Sequence, residues 1–423
     1  MAVGIKSLIA AGLVLGVAFA PAASAQDRTD LAPYAMLRSL QFVQDSVVLG
    51  DHSAAEMQRF MLGTIDQRLR TAPPSIFEDP RNVDAALIYA MSGGNPATLE
   101  FLASRDVAGN FDNRVADGLR KYLGGRGTLI EKSLSEMAKE YRDEKIGPYL
   151  SLVSGNVLVA KDPKGALVFY DWARLTAPGT IIEEAALRRS VAITVDANMV
   201  APALSYSRKY ARRFIHSPYA SQFADFFVQL AVGHFGEITE DDIDGALEFM
   251  DADRRREIFL RIARSAAIAG KNDLARLASA KAEALAKTPT PEALAKLYGG
   301  FANIPTKDIG QAIQAIADVP EETLSPRDRA LRQAAKVVAE QVVSRPTVDS
   351  LAQDKAIKVT NTEDAKSPVA LPRNEIAGPA SATERPMAGT AAKFDPAFQT
   401  FVDSGRSKLN AIDEMLKEEN ASK

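Results

Sequence analysis

Apolar side chains recur at three- and four-residue steps along most of this chain, a period that places them on one face of a helix. From Tyr219 onward, Phe223, Phe226, Phe227 and Leu230 share such a face. Leu134, Met137, Ala138 and Tyr141 repeat the pattern, as do Ile258, Phe259, Ile262, Ala263 and Ala266, and again Leu294, Leu297, Tyr298 and Phe301. Only residues 191–195 and 357–359 look like short strands, and the first run lies inside a helical stretch. An Ala-rich chain with 7% aromatic residues agrees, because Ala has the highest intrinsic helix preference. The fold class expected is all-α.

Short breakers divide the periodic stretches: Gly50-Asp51, Gly93-Gly94-Asn95-Pro96, Lys161-Asp162-Pro163, Gly270-Lys271-Asn272-Asp273 and Asn303-Ile304-Pro305. Asp or Asn beside Pro ends one helix and caps the next. A helix, a tight turn and a second helix cannot bury their apolar face alone, whereas stacked pairs can. One stretch fits a tetratricopeptide-like unit of about 34 residues. With Gly147 as its first position, Ala166, Tyr170, Ala173 and Pro178 fall at the small, aromatic, small and Pro positions. A partial copy sets Ala85, Ala97, Phe101 and Gly109 at the small, small, aromatic and terminal positions, and a third has Ala263, Ala275 and Ala282 without the aromatic. The architecture expected is a stack of helical hairpins, a tetratricopeptide-like α-solenoid, with a single irregular bundle as the competing arrangement.

Four segments follow. Residues 1–25 have the pattern of a secretory leader: Lys6, a fourteen-residue apolar run over 7–20, Pro21, and the small side chains of Ala23-Ser24-Ala25. Cleavage is expected before Gln26, and the run is shorter than the ~20 apolar residues a membrane-spanning helix needs. Export as a soluble protein is the expectation. Residues 26–343 form the helical body. Residues 344–393 are rich in Pro, Ala, Thr and Ser and are expected to be a disordered linker, since they hold too little apolar surface to offset ordering entropy. Residues 394–423 close the chain with Phe398, Phe401, Val402, Leu409, Ile412 and Leu416 on or near one face of an amphipathic helix, expected to dock on the body or on a partner.

No residue pattern in the chain marks a reaction centre. The net charge of −3 leaves no nucleic-acid footprint, and the absence of Cys excludes a thiol nucleophile, zinc–thiolate sites and iron–sulfur clusters. His52, His216 and His234 lie at no metal-ligand spacing. The expectation is a capped turn around His52, a helix C-terminus for His216 and a hydrogen-bonded core position for His234. The run from Glu240 to Asp251 resembles a calcium loop, with acids at positions 1, 3 and 5 and Gly245 at 6. Glu at position 1 and a short Asp at position 12 depart from it, and Thr239 with Asp242 forms a capping box instead. Gly124-Gly125-Arg126-Gly127 follows a helix and lacks the Lys-Ser/Thr of a phosphate loop, so it reads as a turn. Arg208, Lys209, Arg212 and Arg213 around Tyr206 and Tyr210 read as a solvated face paired with local acids, as do Arg254 to Arg256. No catalytic residue, cofactor-binding residue or metal ligand is named, and partner-binding positions are left open.

The segment Leu31-Ala-Pro-Tyr-Ala-Met-Leu-Arg-Ser-Leu-Gln-Phe-Val-Gln-Asp-Ser-Val-Val-Leu-Gly-Asp-His-Ser-Ala-Ala resembles the opening of the MotC family of periplasmic motility proteins. The leader, length, missing Cys, helical middle and Pro-rich tail agree with it, and residues 33–55 carry nearly all the specificity. The resemblance implies a non-enzymatic factor that associates with the periplasmic part of the stator protein MotB, stabilising or orienting it so that the flagellum turns. It carries over no active-site residue. Two other readings compete: a periplasmic helical scaffold for envelope assembly or secretion, and a lytic transglycosylase, for which the Pro-rich tail leaves too little chain to hold a lysozyme-like domain.

Overall fold

The computed structural model describes residues 31–304 and 309–343. The expected leader, Pro-rich linker and final helix, and the strand candidate at 357–359, lie outside the described residues. Within them the chain forms seventeen α-helices and no strand, with one isolated bridge between Phe235 and Ile238. The helices are α1 (Pro33–Val48), α2 (Ala54–Thr71), α3 (Pro80–Met91), α4 (Pro96–Arg105), α5 (Asn113–Leu123), α6 (Glu131–Glu140), α7 (Gly147–Leu158), α8 (Pro163–Thr176) and α9 (Ile181–Asp196). They continue as α10 (Val200–Phe214), α11 (Ala220–Gly233), α12 (Glu240–Leu247), α13 (Ala252–Ile268), α14 (Asn272–Ala284), α15 (Pro289–Asn303), α16 (Ile309–Ala317) and α17 (Pro326–Val343). The strand-like run at 191–195 is helical, inside α9.

The breakers act as anticipated. Asn95 accepts a hydrogen bond from Ala97 N at 3.1 Å and Asp162 one from Gly165 N at 2.9 Å, satisfying orphan amides at the starts of α4 and α8. Pro sits in the first turn of both, where its missing N–H costs nothing. No side chain caps α14, which departs from the pattern. Gly50 ends α1 at φ +117°, a conformation L side chains avoid, and a Cβ there would come within 2.9 Å of His216 Cβ.

Helices pack with their sequence neighbours and with the helix two along, which is the signature of stacked hairpins. One row runs α1–α3–α7–α9–α11–α13–α15–α17, and α2–α4 and α10–α12 pair in an outer row. The unit beginning at Gly147 holds its expected register. Ala166 and Ala173 are fully buried in α8, and Tyr170 is buried against Gly155 of α7. In the third unit Ala263, Ala275 and Ala282 are likewise buried. The second unit is corrected: Ala85 is buried but Ala97 is exposed, and Thr98, Leu99 and Leu102 turn inward from α4 instead. Helix α4 begins at Pro96, one residue before Ala97, whereas α8 begins three residues before Ala166, so the two positions fall on different parts of the helix face.

One feature departs from a simple stack. Helix α1 also packs on α9, and α3 on α7, so α1, α3, α7 and α9 close into a ring. Asp45 of α1 accepts from Ile181 N at 2.9 Å, capping α9 from a distant element, and Gln41 donates to the Tyr149 hydroxyl at 2.8 Å. Buried carboxylates stitch later helices together. Glu184, fully buried in α9, accepts from Arg188 at 2.9 Å and from the Tyr210 hydroxyl at 2.8 Å. Asp328 of α17 accepts from Arg264 of α13 at 3.0 Å and Tyr298 of α15 at 2.9 Å. Around them lies an aromatic centre in which Tyr210 stacks on Phe223 with centroids 4.5 Å apart.

Candidate partner-binding surface

The residues singled out in the sequence fall at helix ends, in turns and on helix faces. His52 and His216 are exposed, the first at the turn before α2 and the second just past α10. His234 is corrected: it is half-buried at the C-terminal cap of α11, with Nδ1 3.8 Å from Glu237, and is no core residue. The apolar stripe of α11 stops one residue short of it, where the helix ends. The run from Glu240 is the helix α12, not an ion-wrapping loop. Its capping box is complete, with Thr239 and Asp242 bonding each other's backbone amides. Asp242 also meets Arg208 at 2.9 Å, Glu240 and Asp244 share Lys281 at 2.7 Å each, and Asp251 caps α13. No group of residues suited to a metal ion occurs among the described residues. Gly124 to Gly127 forms the turn after α5.

The basic stripe of α10 is largely paired. Arg208 meets Asp242, Arg213 meets Glu183, and Lys209 lies over Tyr206 at 5.4 Å while donating to Ser205. Arg212 lies over Phe249 at 5.4 Å. Tyr206 and Tyr210 point inward, to Asp171 at 3.0 Å and to Glu184. Burial first, then the Glu184 carboxylate, raises the Tyr210 hydroxyl far above its ordinary value. These groups hold helices together rather than face a ligand.

Two concavities flank α1. On one side a cleft of about 930 Å³ opens at the mouth of the ring, between α1, α3 and the turns leading into α7 and α9. Arg81 stacks over Tyr34 at 4.2 Å there and is held by the Asp79 carboxylate. Asp84 is half-buried; desolvation raises its carboxyl, Lys145 pulls it down and Glu144 pushes it back up. On the other side, α1 and α2 enclose an apolar groove of about 560 Å³ lined by Ala35, Phe42, Val43, Met57 and Met61. Phe42 is 74% exposed, Met57 50% and, beside the groove, Phe60 68%. Arg38 lines both concavities and makes no ion pair among the described residues. The cleft is lined by side chains of both charges, and the groove is nearly free of charge.

Sequence reasoning did not single out Phe42, Met57 or Phe60. One signal was present: the apolar residues of α2 occupy two faces, 57/60/61 and 62/65/69, where a helix at the edge of a body needs only one. Ile65 and Leu69 are buried and the other face is left open.

The family profile described as "Chemotaxis protein MotC" matches residues 2–421. This chain belongs to the MotC family. The chemotaxis protein MotC of Rhizobium meliloti (strain 1021) is 52% identical over 428 residues, covering 98% of this chain and 97% of that relative. No solved structure matches. The protein is thus related to bacterial chemotaxis and motility. In this MotC-family chain the segment that carried the resemblance, residues 33–55, forms α1, the turn at Gly50 and the first residues of α2. It therefore builds a wall of both concavities.

Proposed function

We propose that this chain is a non-enzymatic motility factor that works in the periplasm, where it binds the periplasmic part of the stator protein MotB and stabilises or orients it so that the flagellum turns. Membership of the MotC family supports the motility role. The leader-like residues 1–25 support export, and no described helix is long and apolar enough to cross a membrane. The observation that carries the binding role is the pair of concavities on α1, one apolar and one charged, with Arg38 between them. Large aromatic and Met side chains left in water mark protein-binding surfaces. The conspicuous ionisable groups of the body are absorbed in helix-to-helix pairs, which suits a scaffold.

Titrating the purified chain with the purified periplasmic part of MotB tests the reading. A complex is expected at micromolar concentrations, and none at a concentration on the order of 50 μM would remove direct binding. A deletion strain separates this role from that of a general envelope or secretion scaffold: swimming is lost if the role is in the motor and unimpaired if it is not.

A further inference from the structure

The groove between α1 and α2 has the form of a helical pair that lacks its third helix. From α1 it takes Ala35, Arg38, Ser39, Phe42 and Val43, the i, i+3, i+4, i+7 stripe of a helix face, and from α2 it takes Met57 and Met61, one turn apart. Two such stripes, side by side with a trough between them, accept the ridge of another helix. An extended segment has nothing to pair with there, because the wall-forming stretches of α1 and α2 spend their backbone groups inside their own helices. Met side chains are flexible and polarisable and adapt to the shape of an incoming apolar face.

Charge narrows the occupant. Arg38 is the one ionised side chain lining the groove, it is exposed, and it has no ionic partner among the described residues. Many arginines of the body do have one: Arg70, Arg81, Arg114, Arg120, Arg188 and Arg208 all meet carboxylates. An exposed guanidinium at the rim of an apolar trough is matched by a carboxylate on whatever fills it.

Resting on the partner named above, we infer that the α1–α2 groove receives an amphipathic helix of the stator protein's periplasmic part. Its apolar i, i+3, i+4 side chains seat against Phe42, Met57, Phe60 and Met61, and one of its carboxylates meets Arg38. Phe42 and Phe60 are the anchors, since they have the most area left to bury.

The test uses the full exported chain and the purified periplasmic part of MotB. Phe42→Ser with Phe60→Ser removes the anchors, Arg38→Glu reverses the charge, and Leu129→Ser, 76% exposed on the short turn before α6, is the control. Exposed positions tolerate such changes with little loss of stability, which melting curves would verify. The double serine variant is expected to weaken binding at least tenfold, Arg38→Glu at least fivefold with a flatter salt dependence, and the control less than twofold. If the wild-type chain binds and the groove variants bind equally well, the groove assignment is overturned and the partner stands. If the wild-type chain itself does not bind, the partner reading fails and this inference fails with it. A photo-cross-linking residue at position 60 in living cells gives a second readout. An adduct within a helical segment of MotB supports the inference, whereas one to a second copy, or to the chain's own residues, overturns it.

Discussion

Gly155 shows how much one absent methyl group controls. A Cβ there would sit 2.7 Å from the Tyr170 ring, so α7 and α8 approach only because the position is Gly. Gly155→Ala is expected to destabilise the protein by about 1–3 kcal/mol through overpacking, read as a lower urea midpoint. Asp112 controls a different kind of contact. It caps α5 through Arg114 N at 2.8 Å and accepts from the Tyr141 hydroxyl at 2.6 Å. Burial pushes its carboxyl up, but the hydrogen bonds from Tyr141 and Arg114 outweigh that and bring it down to about 2. A carboxyl lower in the folded than in the unfolded chain contributes stability above the unfolded value of 3.8 that is lost as pH falls toward 2. The stability advantage of wild type over Asp112→Asn should therefore shrink between pH 4 and 2, as followed by denaturant titration at each pH. At this scale the sequence was partly legible. Ala166, Tyr170 and Ala173 stood out by their spacing, whereas the contact of Gly155 with Tyr170 depends on how two helices cross.

Element boundaries follow from local chemistry, which is why caps and breaks were read well. Thr239 and Asp242 close a capping box within four residues, and Asp162 caps α8 next to its own Pro. The cap on α9 from Asp45 lies beyond such reading, since its donor and acceptor are 136 residues apart. Asp45→Ala is expected to cost about 1–2 kcal/mol, because the Ile181 amide loses its acceptor, and to speed hydrogen exchange at that amide. Asp45→Asn keeps an acceptor without the buried charge. Desolvation raises the Asp45 carboxyl and the Ile181 amide only partly offsets it, so the ionised form is disfavoured in the fold. Since a raised carboxyl costs the native state stability as pH climbs from the unfolded value of 3.8 through the folded one, Asp45→Asn should match or exceed wild type at pH 7. A thermal melt of both variants checks the pair. Helix α2 offers the same lesson in exposure: its two apolar faces are visible in sequence, but which one is covered depends on where α1 and α4 lie.

At the scale of the whole molecule, the ring of α1, α3, α7 and α9 separates two kinds of cooperativity. Elements that touch only their near neighbours fray from an end, whereas a closed ring opens as one unit. From α13 onward packing is confined to near neighbours, with Asp328 tying α13, α15 and α17. Amide exchange is therefore expected to be fastest in α16 and α17 and slowest, at one shared rate, in α7 and α9. Uniform protection through the body would show that the ring has no special standing. The sequence reading of stacked hairpins describes the long run of helices; the return of α1 to α9 had no signature in any repeat period.

Helix content, the places where helices stop, and caps such as those of Asp162 and Thr239 were set by the sequence alone, because each depends on side chains within about one helical turn of one another. Family membership was legible for a related reason, in a contiguous stretch of residues 33–55. Tertiary structure alone decided that α1 closes a ring, that Arg38 stands between two concavities, and that Phe42 and Phe60 remain in water. Burial is a property of the meeting between helices, and an apolar residue on a helix face does not carry in its own spacing the identity of the face it will meet.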